Sequence, residues 1–320
     1  MREVTTPLEK TAPEVSVVIP VYNEEESLPA LFERLFPVMD SLGGNWEVLF
    51  VNDGSRDRSL ALLLDCVDKH PGTVRVVDFN GNFGQHMAIM AGFAISKGNA
   101  VVTMDADLQN PPEEIPRLLE EMDRGHDVVG TIRSTRKDPF FRKFASKVAN
   151  RITNRITGLN LHDYGCMLRA YSRRVVDLIN SCPESTTFIP ALAQKFALNP
   201  SEIEVGHSER ELGTSKYSLF RLIRLNFDLM TGFSLVPLQA VTMLGLLIAG
   251  LSFVFSIYMV LRRLLVGPEA EGLFTLMTIN FFLMGVTMFC VGIAGEYIGR
   301  IFQEIRKRPR YLVNRVYGDE

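Results

Sequence analysis

Two carboxylates and an amide follow an apolar segment near residue 105, and their spacing suits a metal site. The segment 100–104 has the composition of a buried strand, and Asp105-Ala106-Asp107-Leu108-Gln109 follows it directly. Carboxylate and amide oxygens are ligands that Mg²⁺ and Mn²⁺ prefer, and an ion at the carboxyl end of a strand can hold a diphosphate. These residues alone leave an alternative open. They could form a turn that caps a helix, which the segment 110–114 indicates.

Short apolar segments alternate with helical patterns over the first 210 residues. The predicted strands are 15–19, 46–51, 74–77, 100–104 and 127–130, with helices at 24–42 and 55–67. This alternation is typical of βαβ units, so it predicts an α/β domain with a mostly parallel sheet. We therefore expect the loops at the carboxyl ends of the strands to lie along one edge of the sheet.

Polar loops follow the first two predicted strands, at 20–24 and 52–57. Each loop alone could be an ordinary turn or helix cap. A carboxylate in the first loop could equally bind ribose hydroxyls, and one in the second could accept hydrogen bonds from a base. Together with the loop at Asp105, they favour a nucleotide site. The chain has no Walker A motif, and Gly81-Asn82-Phe83-Gly84 is not the dinucleotide fingerprint.

The composition indicates a large core and a reducing compartment. The chain has 320 residues, a net charge of −3 and 47% hydrophobic residues, so it can bury a large core and gives no sign of nucleic-acid binding. Its four cysteines lack Cys-x-x-Cys spacing, so neither a zinc site nor a disulfide framework is predicted. The N-terminus lacks the basic start and apolar run of a signal peptide.

Two long uncharged segments predict a membrane hairpin. Residues 229–261 and 272–295 contain no Asp, Glu, Lys or Arg, and about 20 apolar residues are enough for a helix to cross a bilayer. Residues 262–269 are the predicted loop between them. Basic residues are more numerous outside the pair than in this loop, so we expect both ends to be cytoplasmic. The alternative is two buried helices of a soluble bundle.

Several motifs together resemble one family. The segments 20–24, 52–55 and 105–109 are similar to motifs of inverting family 2 glycosyltransferases, which have the Rossmann-like GT-A fold. Over almost the whole chain the similarity is to the polyprenyl-phosphate glycosyltransferases, a group that includes the dolichol-phosphate mannose synthases. Further matching motifs are Gly84-Gln85-His86, 110–116, 163–171, 188–190 and 296–300.

The resemblance implies a site for a nucleotide-sugar donor and a divalent ion. It implies that Asp105, Asp107 and Gln109 hold Mg²⁺ or Mn²⁺ against the diphosphate. The donor-binding residues that it implies are Pro20, Tyr22, Glu24, Asp53, Asp105, Ala106, Asp107, Arg210 and Lys216.

The segment 210–216 and Asp163 each have a second possible interpretation. Arg210 and Lys216 flank a Gly-Thr-Ser segment, which by itself suits a flexible lid over phosphates or a basic juxtamembrane loop. Asp163 matches the presumed catalytic carboxylate of the family, with a cap or turn residue as the alternative. The implied catalytic residues are Asp163, Asp105, Asp107 and Lys216.

The acceptor side is implied by Arg133, Arg142 and Ser146, which match family positions that bind a lipid phosphate. Arg142 and Ser146 are four residues apart, on one face of a predicted helix. The helix at about 140–157 has an apolar stripe beside basic residues, and 217–233 has a similar pattern. Both are expected to lie in the membrane interface, and ordinary amphipathic core helices are the alternative.

We therefore expect an inverting glycosyltransferase at the cytoplasmic face of the bacterial inner membrane that transfers one sugar to undecaprenyl phosphate. The resemblance implies UDP-4-deoxy-4-formamido-L-arabinose as donor, for lipid A modification and polymyxin resistance. UDP-glucose, UDP-hexosamine, UDP-galacturonate and GDP-mannose remain open. The expected domains are a tail (1–13), a GT-A domain (14–216), a second interface helix (217–233), a two-helix membrane hairpin (234–299) and a basic tail (300–320).

Two other kinds of protein share part of this pattern. A processive polysaccharide synthase usually carries a Gln-x-x-Arg-Trp motif, but the single tryptophan here is Trp46 in an early strand. An inactive membrane scaffold of the same fold should have lost several of the site residues, and none is lost. A homo-oligomer is expected, because two spans per subunit offer little surface to a long lipid.

Overall fold

The computed structural model describes residues 13–133, 166–182, 188–206, 236–266, 272–305 and 309–319. Within them the strands are β1 (Val15–Val21), β2 (Trp46–Asn52), β3 (Val74–Phe79), β4 (Ala100–Thr103), β5 (Val128–Arg133), β6 (Arg169–Ser172), β7 (Pro200–Val205) and β8 (Val313–Tyr317). These eight strands form one sheet in the order β7-β5-β6-β4-β1-β2-β3-β8. Pairing is parallel at β4-β1, β1-β2, β2-β3 and β5-β7, and antiparallel at the other three junctions. The predicted mostly parallel α/β sheet is confirmed.

Helices lie between most of the strands along the chain, and two longer helices come after β7. Those in the described ranges are α1 (Leu28–Ser41), α2 (Ser59–Lys69), α3 (Gln85–Ile95), α4 (Ile115–Asp123), α5 (Arg173–Ser181), α6 (Ile189–Phe196), α7 (Val236–Val266) and α8 (Leu273–Ile305). In α1, Leu28, Leu31, Leu35 and Met39 recur every three or four residues and are fully buried, so one face packs on the core. All six residues of β3 are buried, as expected for a strand covered on both sides.

An ion pair lies buried between β2 and β3. The Arg75 guanidinium donates to Glu47 Oε2 at 2.6 Å, and both side chains are 7% exposed. Arg75 also donates to the Ile95 carbonyl at 2.8 Å and to Asp319 Oδ1 at 2.8 Å. The second Glu47 oxygen accepts from the Ser16 hydroxyl. Both charges are thus hydrogen-bonded, which buried charges require.

The C-terminal segment supplies the last strand of the sheet. β8 pairs antiparallel with β3, and α8 ends at Ile305. Residues 300–320 were expected to be a basic tail, and the strand within this segment was not predicted. The reason is that β8 is short and largely exposed, so it lacks the apolar signal of the buried strands. By pairing with β3 it covers an edge that would otherwise present unpaired backbone groups.

α7 and α8 form a second compact unit, separate from the one that contains the sheet. Each helix has a segment long and apolar enough to cross a membrane, Leu238–Phe255 and Ile279–Gly299, with mean hydropathies of 2.1 and 1.7. Almost none of either segment is buried, whereas the core helix of a soluble protein is mostly buried.

The prediction of a loop at 262–269 was wrong for residues 262–266, which are helical. α7 continues through Arg262 and Arg263 and ends at Val266. Charged residues mark where an apolar span ends, but they do not stop a helix, because long basic side chains can extend along the surface from helical positions.

Candidate active site

Four loops meet at one edge of the sheet. β4, β1, β2 and β3 are neighbours and run parallel, so the loops after them all leave the same edge. The chain builds β1, β2 and β3 in one direction and then crosses to place β4 on the other side of β1. This reversal is a topological switch point, where open α/β sheets bind their ligands. The predicted convergence of the polar loops is therefore confirmed.

The loops after β1 and β2 hold each other in place. The Glu24 N–H donates to Ser59 Oγ at 2.9 Å, and the Glu24 carboxylate accepts from the Ser27 hydroxyl at 2.6 Å. Asn23 has a φ of +54°, a conformation that asparagine tolerates, and its side chain accepts from the Arg56 N–H at 2.8 Å. These bonds fix the backbone on either side of Glu24.

The first loop also presents two predicted donor-binding residues. Pro20 lies within β1 beside Val51 of β2. Tyr22 follows the strand with 45% of its surface exposed, so its ring is accessible to a ligand.

Asp53 follows β2 and is almost completely buried, at 2% exposure. Its two carboxylate oxygens accept from the N–H groups of Phe83 and Gly84, at 2.6 and 2.9 Å. Burial raises the pKa of the Asp53 carboxyl, and the two N–H donors oppose that rise. Asp53 therefore ties the loop after β3 to the loop after β2. Its oxygens keep further lone pairs with which to accept from a base.

Gly54 is the residue at which this arrangement is most sensitive to substitution. Its φ is +68°, and a Cβ there would lie 2.5 Å from the Gly81 carbonyl carbon. We expect Gly54→Ala to lower the free energy of unfolding by about 2 kcal/mol or more and to weaken nucleotide binding. The measurements are thermal unfolding and UDP titration of the purified protein.

Gly43→Ala is the matched control for Gly54→Ala. Gly43 has a φ of +69° but nothing within 4 Å of an added Cβ. It should show the cost of the backbone conformation alone, about 1 kcal/mol. Equal destabilisation by the two variants would contradict the role assigned to the contact with Gly81.

The loop after β4 carries the predicted metal ligands. Asp105 Oδ1 accepts from the side-chain amide of Gln85, at the start of α3. Asp107 Oδ1 accepts from the Gln109 N–H at 3.2 Å, so the turn that the sequence left open is present. Leu108, between them, has a φ of +59°, an unfavourable conformation for this residue type that is found mainly at functional sites. Ala106 is buried beneath this turn.

The side chains after β4 are of the types that bind a hard cation. In the part of the chain that the structure describes, no group of three or more His, Cys, Asp or Glu side chains could hold a metal ion. Mg²⁺ is usually bound by one or two carboxylates, with waters and substrate phosphates completing the shell. Asp105, Asp107 and Gln109 supply two carboxylates and an amide, which matches that requirement.

The structure adds residues whose roles were not predicted. Gln85 contacts Asp105, and the backbones of Phe83 and Gly84 hold Asp53. His86 follows Gln85, and its Nδ1 is buried and has no hydrogen-bond partner among the described residues. Burial lowers the pKa of this imidazole to about 4, so it is neutral at pH 7. The Gly84-Gln85-His86 motif indicated that this region matters. The backbone donors could not be predicted, because almost any residue type supplies an N–H group.

Several predicted residues are not placed by the structure. Arg133 is the last residue of β5, and only its backbone position is described. The other residues, and both predicted interface helices, lie outside the described ranges: Arg142, Ser146, Asp163, Arg210 and Lys216. Their roles stay predictions.

Comparison with known families matches both parts of the chain. The family described as "Glycosyl transferase family 2" matches residues 16–179, which include all four loops of the site. The family described as "GtrB C-terminal hairpin" matches residues 236–301, which cover most of α7 and α8.

Curated relatives match almost the whole chain. The undecaprenyl-phosphate 4-deoxy-4-formamido-L-arabinose transferase of Aeromonas hydrophila is 50% identical over 304 residues, which are 94% of this chain and 93% of the relative. The protein of the same name from Edwardsiella ictaluri is 49% identical over 309 residues, 96% of this chain and 95% of the relative.

Solved structures share the fold. Glucosyl-3-phosphoglycerate synthase from Mycobacterium tuberculosis, in complex with Mn²⁺, UDP and phosphoglyceric acid, aligns with a TM-score of 0.51 at 17% identity, over 69% of this chain and 77% of that one. Its complex with Mg²⁺ and UDP aligns with a TM-score of 0.50 at 18% identity, over 69% and 78%. The predicted GT-A fold is thereby confirmed. With the matched family and the extent of the similarity to its relatives, the chain belongs to glycosyl transferase family 2.

Proposed function

We propose that this glycosyltransferase transfers 4-deoxy-4-formamido-L-arabinose from its UDP donor to undecaprenyl phosphate, with inversion at the sugar carbon. The observation that carries the proposal is 50% identity over 94% of the chain to a relative of that name. The site geometry supports it, because the four loops form the kind of switch-point site that binds nucleotides.

The nucleoside and the diphosphate of the donor bind on different sides of the switch point. The loops after β1 and β2 take the nucleoside: Glu24 accepts from the ribose hydroxyls, Asp53 accepts from the base, and the exposed Tyr22 packs beside it. Pro20 shapes the end of β1, and Ala106 lines the floor. The loop after β4 takes the diphosphate end. Seven hydrogen bonds within and between these loops would be formed before the donor arrives, which reduces the cost of ordering the site.

A divalent ion, Mg²⁺ or Mn²⁺, held by Asp105, Asp107 and Gln109 would supply positive charge beside the diphosphate. The structural neighbours bound to these ions with UDP support this part of the proposal. Arg210 and Lys216 would add cationic charge to the phosphates. Together these positive charges would stabilise the negative charge that develops on the departing UDP.

The acceptor provides its own nucleophile. The second pKa of a phosphate monoester is about 6, so its oxygen is already largely ionised at neutral pH. Arg133 and Arg142, with Ser146, hold that phosphate in line with the anomeric carbon, and the rate gain comes from positioning. Asp163 orients a sugar hydroxyl or takes the remaining acceptor proton. The phosphate oxygen bonds to the sugar carbon as the bond from that carbon to UDP breaks.

The membrane position follows from the same proposal. α7 and α8 cross the inner membrane as a hairpin, and the sheet lies on the cytoplasmic side, where nucleotide-sugars are made. The amphipathic segments 140–157 and 217–233 lie in the interface, close to where the lipid phosphate is held. Several copies assembling together would enlarge the surface available to the long lipid.

A donor panel tests the proposal. We expect the protein purified in detergent to form a lipid-linked sugar from undecaprenyl phosphate and UDP-4-deoxy-4-formamido-L-arabinose, and EDTA to stop the reaction by removing the ion. The measurement is chromatography of the radiolabelled lipid product. UDP-glucose, UDP-hexosamine, UDP-galacturonate and GDP-mannose are the competing donors.

Each outcome of the panel decides one part of the proposal. Turnover with another donor alone would replace the sugar assignment and keep the reaction class. No product with any donor would contradict the enzymatic proposal for this chain, and would favour an inactive scaffold of the same fold.

A further inference from the structure

The segment after α8 forms the edge of the sheet on the side where the loops of the proposed nucleoside site lie. Its strand, β8, is hydrogen-bonded to β3. β3 in turn pairs with β2, which leads into Asp53. Two separate sets of side-chain contacts run from the C-terminal segment through β3 towards Asp53. One set is polar and the other is aromatic.

The polar contacts run through a buried carboxylate. The Asn314 amide donates to Asp78 Oδ2 at 2.9 Å, and the Asn52 amide donates to Asp78 Oδ1 at 2.7 Å. Asn52 Oδ1 accepts from the Ser55 N–H at 3.3 Å. Asp78 and Asn52 are both buried, and Asp53 lies between Asn52 and Ser55. The Asp53 loop is therefore anchored through Asp78 to β8.

The aromatic contacts reach the neighbouring loop after β3, whose backbone donates to Asp53. The Tyr311 ring stacks on Phe79, with centroids 5.0 Å apart and planes 14° from parallel. Phe79 meets the Phe83 ring edge-on at 5.6 Å. The Phe83 N–H is the 2.6 Å donor to Asp53 Oδ1. The C-terminal segment thus supports both the backbone that carries Asp53 and a group that orients its carboxylate.

We propose that Asn314 and Tyr311 are positioning residues for donor binding, which they support through Asp78 and Phe83, respectively. The inference rests on the proposed function, in which Asp53 accepts from the base. Neither residue needs to touch the donor, because each acts on the orientation of Asp53. The acceptor side of the reaction is not involved.

The test measures donor and acceptor parameters separately in the full-length protein. In Asn314→Ala, which removes a hydrogen bond to a charged group, we expect the Kd for UDP, measured by calorimetry, and the KM for the donor to rise about tenfold. Tyr311→Leu removes an aromatic pair and should raise both about fivefold. The KM for undecaprenyl phosphate should stay at the wild-type value. Tyr311→Phe keeps the stacked ring and should restore donor binding.

A coupling measurement separates positioning from general weakening of the fold. If Asn314 acts through Asp78 on Asn52, the effects of Asn314→Ala and Asn52→Ala on UDP binding should be less than additive in the double variant. Arg315→Ala is the control on the same strand, because Arg315 is exposed and contacts the Tyr317 ring. It should bind UDP like the wild type.

The outcomes distinguish this inference from the proposed function. If Asp53→Ala weakens UDP binding while Asn314→Ala and Tyr311→Leu bind normally, the inference is wrong and the proposed function stands. Equal increases in donor and acceptor KM, with additive effects in the double variant, would also overturn it. If the wild-type protein does not bind UDP, both the proposed function and the inference are wrong.

Discussion

Replacing Asp107 by Asn is expected to lower kcat about a thousandfold, because loss of the ion removes several kcal/mol of charge stabilisation and each 1.36 kcal/mol is tenfold in rate. The change keeps the shape of the side chain and the acceptor for the Gln109 N–H, so the turn after β4 should survive. What it removes is one negative charge of the proposed metal site. The measurements are turnover with the donor and direct Mn²⁺ binding by electron paramagnetic resonance in the presence of UDP.

Asp123→Asn is the matched control for Asp107→Asn. Asp123 is the exposed last residue of α4, so its replacement removes the same charge far from the loops of the site. Its turnover and Mn²⁺ binding should equal those of the wild type. Normal Mn²⁺ binding by Asp107→Asn would show that the ion is not held by this carboxylate, even if turnover fell.

The second large effect is expected on stability. Arg75→Met should lower the free energy of unfolding by about 3–5 kcal/mol, because the Glu47 charge would remain buried without its partner. In a domain of this size that corresponds to a fall in Tm of about 10 °C. Met keeps most of the apolar volume of the Arg75 side chain. The loss of free energy of unfolding should therefore come mainly from the unpaired charge. Thermal unfolding of the purified protein is the measurement.

Asp319→Asn separates the buried pair from its exposed partner. Asp319 also contacts Arg75, at 2.8 Å, but half of its side chain is exposed. Water already screens this pair, so its loss should cost about 1 kcal/mol or less. A loss as large as that of Arg75→Met would mean that the attachment of the C-terminus, rather than the buried pair, holds this region together.

The central strands were predictable because each carries its own signal. β1, β2 and β3 are buried, and their apolar residues mark them in the sequence without knowledge of their neighbours. Once they are taken as parallel, the loops after them must share an edge, so Glu24 and Asp53 are expected on the same side of the sheet. The strand order then supplies what periodicity cannot, which is that β4 lies beside β1.

Strands that depend on distant partners were not predictable. β6 begins with Arg169, which is 1% exposed and donates to the Cys166 carbonyl at 2.9 Å. A short segment that contains a charged residue has the composition of a loop, so the sequence does not predict a buried strand there. β8 is mostly exposed, and its position depends on a strand more than 200 residues earlier.

The sequence predicted which polar side chains stand at this edge of the sheet, but not the groups that hold them in place. Asp105 and Asp107 are recognisable by their chemistry and by the apolar strand that precedes them. The N–H groups of Phe83 and Gly84 that hold Asp53 belong to the backbone, so any residue could supply them. Only the positive φ of Gly84, at +93°, restricts which residue can stand there.

The position of β8 in the chain also determines when the sheet can be completed during synthesis. Asn314 and its partner Asp78 are 236 residues apart, and both apolar helices are made between them. At 5–20 residues per second, the ribosome needs roughly 12–50 s to cover that distance. Throughout this interval β3 has an unpaired edge, of the kind that promotes aggregation. The last step in folding the sheet therefore waits until both apolar helices have been made, and until then the open edge of β3 can pair with other chains.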